Sequence, residues 1–267
     1  MATCDLRPLD SSDQIGNAAA ALGISVDLSR AAYREHSIGF PTDRDTWVRL
    51  ERRAAEDLHG WNGIEAAGAL TEIAKPAWIQ AATWRDPDGV FWRADEMELV
   101  TEPLLCTEGI MEDTPQLSSH WWSTLNRSLN RLGTYRTRRI LLRENDIANR
   151  LASFVTVTHL WLLEWTVAHG RTGWGTLTGP DKCWLLDWDH WGMAPRGFDS
   201  ASLWADSLAV PELADRIWDE REDDLNTFSG RISALYFCAL LVNSSDKSDG
   251  ALVDSAREQA EKLAAQV

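Results

Sequence analysis

The segment from residue 168 to residue 204 holds the densest run of chemistry-bearing side chains: AHGRTGWGTLT, then CWLLDWDHWG, then APRGFDSASLW. Phosphoryl transfer needs three groups in a fixed order. A carboxylate accepts the proton of the incoming hydroxyl, an Asn five residues later holds one metal ion, and an Asp at a strand end holds the Mg²⁺ that bridges the phosphates. In sequence this is H-x-D-x-x-x-x-N, a strand, and a further Asp. His169, Asp187 and the spacing fit that frame, but Arg171 stands in the base position and Thr176 in the amide position. A guanidinium, with a pKa above about 12, cannot serve as a general base. Arg171 also brings a positive charge beside the metal position, so it is expected to pair with Asp187 or Asp189 and fill part of the cation's space. Thr176 offers one neutral hydroxyl in place of an amide oxygen. Positioning and electrostatics supply most of the catalysis of this reaction, so losing both groups costs several orders of magnitude.

The elements around these residues follow from pattern. An Ala-rich helix is expected near Asp13–Leu22. REHSIGF and TWVRLE flank the turn-forming PTDRD and predict a hairpin, with Val48 and Leu50 on one face and Trp47 and Arg49 on the other. GWNGIEAAGAL predicts a loop entering a helix with Glu65 near its start. IAKPAWIQAATW and VFWRADEMELV, separated by DPDG, predict two more strands. Beyond Pro103 the pattern turns helical: HWWSTLNRSLNRLG has Trp122, Leu125, Leu129 and Leu132 at helical spacing, and RENDIANRLASFV and THLWLLEWTV are expected as helices. FDSASLWADSLAV, PELADRIWDEREDDL with Pro211 at a first helical position, RISALYFCALLVN and the tail from Ala251 complete a helical half. The layout predicts an N-terminal lobe over 1–102, a linker near 98–106, and a mainly helical C-terminal lobe over 103–267.

The loop, the LLDWD segment and RGFDSASLW together resemble the aminoglycoside phosphotransferase and choline kinase family, whose catalytic loop reads H-G-D-x-x-x-x-N. The resemblance implies an α+β, two-lobed, protein-kinase-like fold with a small mixed-sheet N-lobe and a larger helical C-lobe. It implies that His169 supports the loop, that Arg171 replaces the catalytic Asp, and that Thr176 replaces the metal-binding Asn. Asp187 matches the remaining metal ligand, Asp189 the acidic residue two places on, and Asp199 a residue that braces the loop. By its residues alone, Asp199 also reads as a helix N-cap. In the N-lobe the family's phosphate-pairing residue and helical Glu fall on Arg49 and Glu65, which read equally as a solvated pair. No lysine lies on that strand, and GFPTDRDTW is a poor phosphate cradle. ATP and Mg²⁺ are the implied cofactors, with weak or absent binding expected.

Composition sets the outer bounds. The 267 residues carry 26 basic and 41 acidic side chains, a formal charge of −15 that repels nucleic acid and anionic lipid. No apolar run approaches the roughly 20 residues of a membrane-spanning helix, and MATCDLRPLDSSD lacks a secretory apolar core. A cytoplasmic location is expected. The four cysteines lie far apart, without metal-ligand or disulfide spacing. Indole is in excess, with 15 Trp against 3 Tyr and 6 Phe. Trp122, Trp161, Trp165, Trp204 and Trp218 lie in helical patterns and are expected in the core. Trp174, Trp188 and Trp191, with Trp184, are expected to line a ligand pocket beside the loop. The acidic run at 219–225 is expected as a solvated helix face.

These readings converge on a kinase-fold protein of impaired catalysis that acts as a binding or scaffolding partner in a biosynthetic or resistance-type pathway. Its partners are expected to be a small molecule, a peptide or a protein of the same pathway. Two alternatives stay open: an active ATP-dependent phosphotransferase using Asp187 or Asp189 as base, and a binder of a small cationic or aromatic ligand in a Trp-lined cleft.

Overall fold

The structure is a computed structural model that describes residues 5–7, 9–53, 61–107, 111–155, 159–243 and 250–267. The chain divides into two compact units. The first comprises Met1–Thr71 and Lys75–Thr101, and the second Glu72–Ala74 and Glu102–Val267.

The first unit is built on a five-stranded sheet. β1 (Ala32–Tyr33), β2 (Ser37–Pro41), β3 (Thr46–Arg53), β4 (Trp78–Arg85) and β5 (Phe91–Glu98) lie in the order β1-β2-β3-β5-β4. Every pairing is antiparallel, so the sheet is not mixed as expected. Tight connections such as Asp86–Gly89, with the Gly89 amide donating to the Asp86 carbonyl, reverse the chain between neighbours and leave no room for a parallel crossover. Period-2 alternation gives the sheet two unlike faces. Val48, Leu50, Trp92 and Ala94 are buried on one, and α1 (Ser12–Leu22) covers it with Ile15, Ala18 and Leu22. Trp84 ties strand to helix, its indole N–H donating to Gln14 at 2.8 Å. The other face carries charge: Arg49, Glu51 and Arg53 on β3 stand in register with Asp95, Arg93 and Phe91 on β5. The helix expected to carry Glu65, α2 (Gly63–Ala67), has only five residues, and Gly68 follows it.

The second unit is mainly helical. α3 (Ser119–Gly133) starts at Ser118, whose hydroxyl accepts the Trp121 amide, and buries Trp121, Trp122, Leu125, Leu129 and Leu132. α4 spans Glu144–Leu151. The expected helix THLWLLEWTV does not form. Leu160–Leu162 make one 3-10 turn, and Trp165–Ala168 form β6, paired antiparallel with β7 (Gly192–Pro195). β7 offers the open hydrogen-bonding edge, which outweighs the apolar pattern. Trp161 is 72% exposed and is not core.

α5 (Phe198–Ala205), α6 (Pro211–Glu220), α7 (Glu222–Leu225), α8 (Phe228–Val242) and α9 (Gly250–Ala264) follow. α5 and α8 are the buried centre, where Phe198 packs on Phe237 at 4.7 Å. The acidic run is not solvated throughout. Arg221 lies buried within it, donating to Ser200 at 3.0 Å and Asn130 at 2.9 Å and pairing with Asp224, which also takes Arg196 at 3.0 Å.

Candidate functional site

β6 delivers the chain to His169 and β7 returns it from Gly192, the two strand ends being direct partners at Ala168 and Gly192. Between them the chain makes a loop, a 3-10 turn at Trp174–Thr176, an isolated bridge from Leu177 to Leu185, and the segment that carries Asp187 and Asp189. The Leu186 amide donates to the Thr176 carbonyl at 2.9 Å, which holds the loop beside Asp187.

The loop backbone is fixed by one carboxylate. Asp199 accepts the His169 amide at 2.7 Å on one oxygen and the Gly170 amide at 2.8 Å on the other. The N-cap of α5 is Gly197, and Asp199 lies in the first turn, so its side chain serves the loop and not the cap. Gly170 has φ of 88°, and a Cβ there would press on Leu141 and the His190 carbonyl, so glycine is required. Asp187 also has a positive φ, 75°, as do Asp45 and Glu72, a conformation that costs a non-glycine residue about 1–3 kcal/mol.

His169 is fully buried, edge-to-face against Trp188 at 4.6 Å. Burial pushes its pKa down, against the opposing pull of Asp199 and Asp187, which leaves a neutral packed imidazole. The half-exposed Arg171 places a guanidinium nitrogen 3.7 Å from an Asp187 oxygen. Thr176 turns its hydroxyl onto the loop: it lies 2.8 Å from the Arg171 carbonyl and 3.0 Å from that of Gly173, and accepts the Gly173 amide at 3.2 Å. It staples the loop, and its one proton and its lone pairs face backbone in place of a cation. Asp189 is buried, and its carbonyl accepts Arg139 at 3.1 Å. Among the described residues no group of three or more His, Cys, Asp or Glu side chains is placed to hold a metal ion. A divalent cation needs anionic oxygens facing one point. The Arg171 guanidinium instead sets a positive charge 3.7 Å from an Asp187 oxygen, which opposes a divalent cation there.

The three tryptophans expected to line a pocket are packing residues. Trp174 is fully buried, donates to Ser207 at 2.7 Å and stacks on Trp121 at 6.3 Å. Trp188 donates to the Leu185 carbonyl at 2.8 Å. Trp191 lies under the Arg139 guanidinium at 4.9 Å, and Arg139 also donates to the Trp191 carbonyl at 3.0 Å. Burying an indole requires a partner for its N–H, and the Ser207 hydroxyl just beyond α5 and the loop backbone supply those of Trp174 and Trp188. Trp184 is half-buried with the Lys182 ammonium 4.0 Å from its ring. Arg139 had no motif to mark it, since its role depends on a long-range approach to residues 189–191.

Arg49 and Glu65 belong to the first unit. Glu65 is held by Arg93 on β5, at 3.0 Å. Arg93 is buried and also grips Asp95 with two hydrogen bonds of 2.6 and 2.7 Å. Burial works against the Arg93 charge, but Asp95 and Glu65 outweigh it and raise its pKa. Arg49 stands directly across from Asp95 in the β3–β5 register, on the same sheet face. Sequence reasoning missed Arg93 because only the register shows that it lies on the face from which Glu65 is reached.

No protein-family model matches the chain, and no curated protein matches its sequence. Solved structures do match. The amicoumacin kinase hAmiN, solved with AMP-PNP, Ca²⁺ and Ami, superposes with a TM-score of 0.63 over 95% of this chain and 94% of its own, at 11% identity. The chain has the aminoglycoside phosphotransferase fold. The GDP and kanamycin complex of APH(2″)-IIIa gives 0.58 at 12% identity, covering 96% of this chain and 98% of that one. A microcompartment-associated aminopropanol kinase gives 0.53 at 13%, covering 93% and 95%. What this phosphotransferase fold shares with them at these identities is architecture. No helix among the described residues is long and apolar enough to cross a membrane.

Two outcomes test this geometry. Removing the Arg93 side chain strips buried Asp95 of two charge-assisted hydrogen bonds and leaves it the Trp78 indole N–H at 3.1 Å, so Arg93→Ala should lose about 3 kcal/mol of stability in urea titration; a loss typical of a surface pair would contradict the burial. Asp206, at the C-terminal end of α5, sets its carboxylate where a Cβ on Gly173 would stand, and desolvation pushes its pKa from 3.8 up to about 7. The folded state therefore binds a proton that the unfolded state has released, and stability falls as pH rises from about 4 to about 7. Asp206→Asn should be more stable than wild type at pH 8, with the gap closing towards pH 4 in thermal melts. A gap independent of pH would refute that assignment.

Proposed function

We propose that this chain is a catalytically impaired kinase-fold protein that works as a binding or scaffolding partner in a biosynthetic or resistance-type pathway. The observation that carries the reading is the Arg171 guanidinium 3.7 Å from the Asp187 carboxylate. The family resemblance assigns that carboxylate the role of metal ligand, and a fixed positive charge beside it would compete with Mg²⁺. Arg171 cannot take a proton from an attacking hydroxyl, and the buried, neutral His169 is turned into the core. The Thr176 hydroxyl, engaged with loop backbone, adds no second ligand.

Structural neighbours were solved with AMP-PNP or GDP, and we infer that any nucleotide affinity retained here is weak and independent of metal. The expected partner is a small molecule, a peptide or a protein of the same pathway, met in the cytoplasm. The net charge of −15 favours cationic over polyanionic partners.

Nucleotide titration tests the reading. Wild type should bind ATP no better with Mg²⁺ than without and should show no turnover onto hydroxyl acceptors. The double variant Arg171→Asp/Thr176→Asn should gain Mg²⁺-dependent affinity of about tenfold or more, from replacing a repulsive charge by an attractive one near 4 Å. Wild-type turnover at ordinary kinase rates, about 1–100 s⁻¹, would sink the proposal.

A further inference from the structure

Between α3 and α4 the chain runs outside any helix through RTRRILLR, residues 136–143. Exposure alternates along it: Arg136, Arg138 and Ile140 are exposed, whereas Thr137, Arg139 and Leu141 are partly buried. Backbone bonds to β7 place the segment beside the β6–β7 pair. The Met193 amide donates to the Arg139 carbonyl at 2.8 Å and the Leu141 amide to the Met193 carbonyl at 3.1 Å, a parallel bridge centred on Ile140. Gly192 permits the close approach, since a Cβ there would stand 2.9 Å from the Arg139 carbonyl. In such a bridge the central residue turns its own N–H and C=O to the far side, and among the described residues nothing takes those of Ile140. The edge is open, and Ile140 is 54% exposed on it.

The charge of this edge is opposite to that of the chain. Four arginines and no acidic residue fall within 136–143, in a protein of net charge −15. Arg139 is committed inward, to the Trp191 and Asp189 carbonyls. Arg136, Arg138 and Arg143 are exposed and, among the described residues, pair with no carboxylate. The acidic neighbours next in the chain are Glu144, which is exposed, and Asp146, which accepts the Arg143 amide. Beside the arginines lies a shallow groove of about 420 Å³, lined by Ile140, Leu142, Trp165 and Met193 and by residues 143–145. Register puts Met193 opposite both Ile140 and Val167, and Trp165 two residues before Val167, so all three lining side chains share one face. Open backbone groups, an apolar groove and unpaired guanidiniums together fit an incoming strand in which apolar side chains alternate with carboxylates. The same edge of a second copy would set arginine against arginine, which opposes self-pairing. A long polyanion would extend past the arginines onto acidic surface, which repels it.

We propose that residues 136–143 form a docking edge for an extended acidic segment of a partner protein. Its backbone would pair with the N–H and C=O of Ile140, one apolar side chain would enter the groove beside Trp165 and Met193, and flanking carboxylates would meet Arg136, Arg138 and Arg143. None of these residues belongs to the 169–189 loop, so docking does not depend on whether that loop is active.

Fluorescence anisotropy of the full chain with the labelled, end-capped peptide Glu-Val-Glu-Ile-Glu-Val tests the edge, with Lys-Val-Lys-Ile-Lys-Val as the charge-reversed control. The acidic peptide should bind saturably and at least about tenfold more tightly than the basic one. Its affinity should fall as NaCl rises from about 0.05 M to about 0.5 M. N-methylation of its central amides removes backbone donors without changing its charge, and should weaken it about fivefold. Arg138→Ser should weaken it about two- to fivefold, as expected of an exposed charge pair, and Arg136→Ser/Arg138→Ser should weaken it further. The peptide comparisons need no variant of the chain, so they decide the matter even where a variant fails to fold by circular dichroism. No saturable binding, equal affinity for the basic peptide, or indifference to N-methylation would each overturn the proposal. Full displacement of the peptide by oligothymidylate of matched charge would overturn it too, by marking the arginines as a nucleic-acid contact.

Discussion

Two backbone N–H groups at the end of β6, those of His169 and Gly170, point inward and must find acceptors there, because a buried amide without one costs as much as a lost hydrogen bond. The two oxygens of Asp199 satisfy both. Asp199 stands in the first turn of α5, where the helix dipole favours its charge. One side chain thus joins the loop to the most buried short helix of the unit, and everything downstream in the loop inherits that anchor. The end of the same helix makes two further contacts: Trp174 donates to Ser207, and the Asp206 carboxylate closes on Gly173. The loop is held at both ends by residues of α5 and its C-terminal turn.

That clamp separates scaffold from chemistry. His169, Gly170, the positive φ of Asp187 and the Asp199 brace form a backbone frame that packing maintains. In the proposed reading, the groups that would move a proton and hold a cation are the ones that differ. Their replacements are accommodated without distorting the frame: Arg171 projects to half-exposure with Asp187 as its ion-pair partner, and the Thr176 hydroxyl takes up loop carbonyls. The frame accommodates both side chains, since Arg171 is half-exposed and the Thr176 hydroxyl adds hydrogen bonds to the loop backbone.

Much of the fold was legible because it is local. Turn chemistry at PTDRD and DPDG placed the hairpins, Ser118 and Pro211 marked helix starts, and the spacing from His169 to Asp187 set the loop. What escaped depends on partners remote in sequence. LWLLEWTV satisfies helix and strand patterns alike, and only the edge of β7 decides it. Trp161 is exposed and Trp174 buried for reasons of tertiary packing that indole content does not encode. In the candidate site, the places of His169, Arg171 and Asp199 came from the family resemblance, whereas the engagement of Thr176 with loop carbonyls required the turn geometry at 173–176.

Glu65 shows the same limit from the electrostatic side. Order along the chain offered Arg49 as its partner, but a salt bridge forms where the desolvation of both charges is best repaid. Arg93 already lies buried against Asp95, and a guanidinium has five donors, so it can serve two carboxylates at once. A lysine ammonium at that place would present a point charge without the fork that grips Asp95 on two sides. The scarcity of lysine, 4 residues among 26 basic ones, therefore has a structural counterpart in this unit. The helix carrying Glu65 is tied to the sheet by an arginine already committed within the protein. That pairing needs no ligand to complete it.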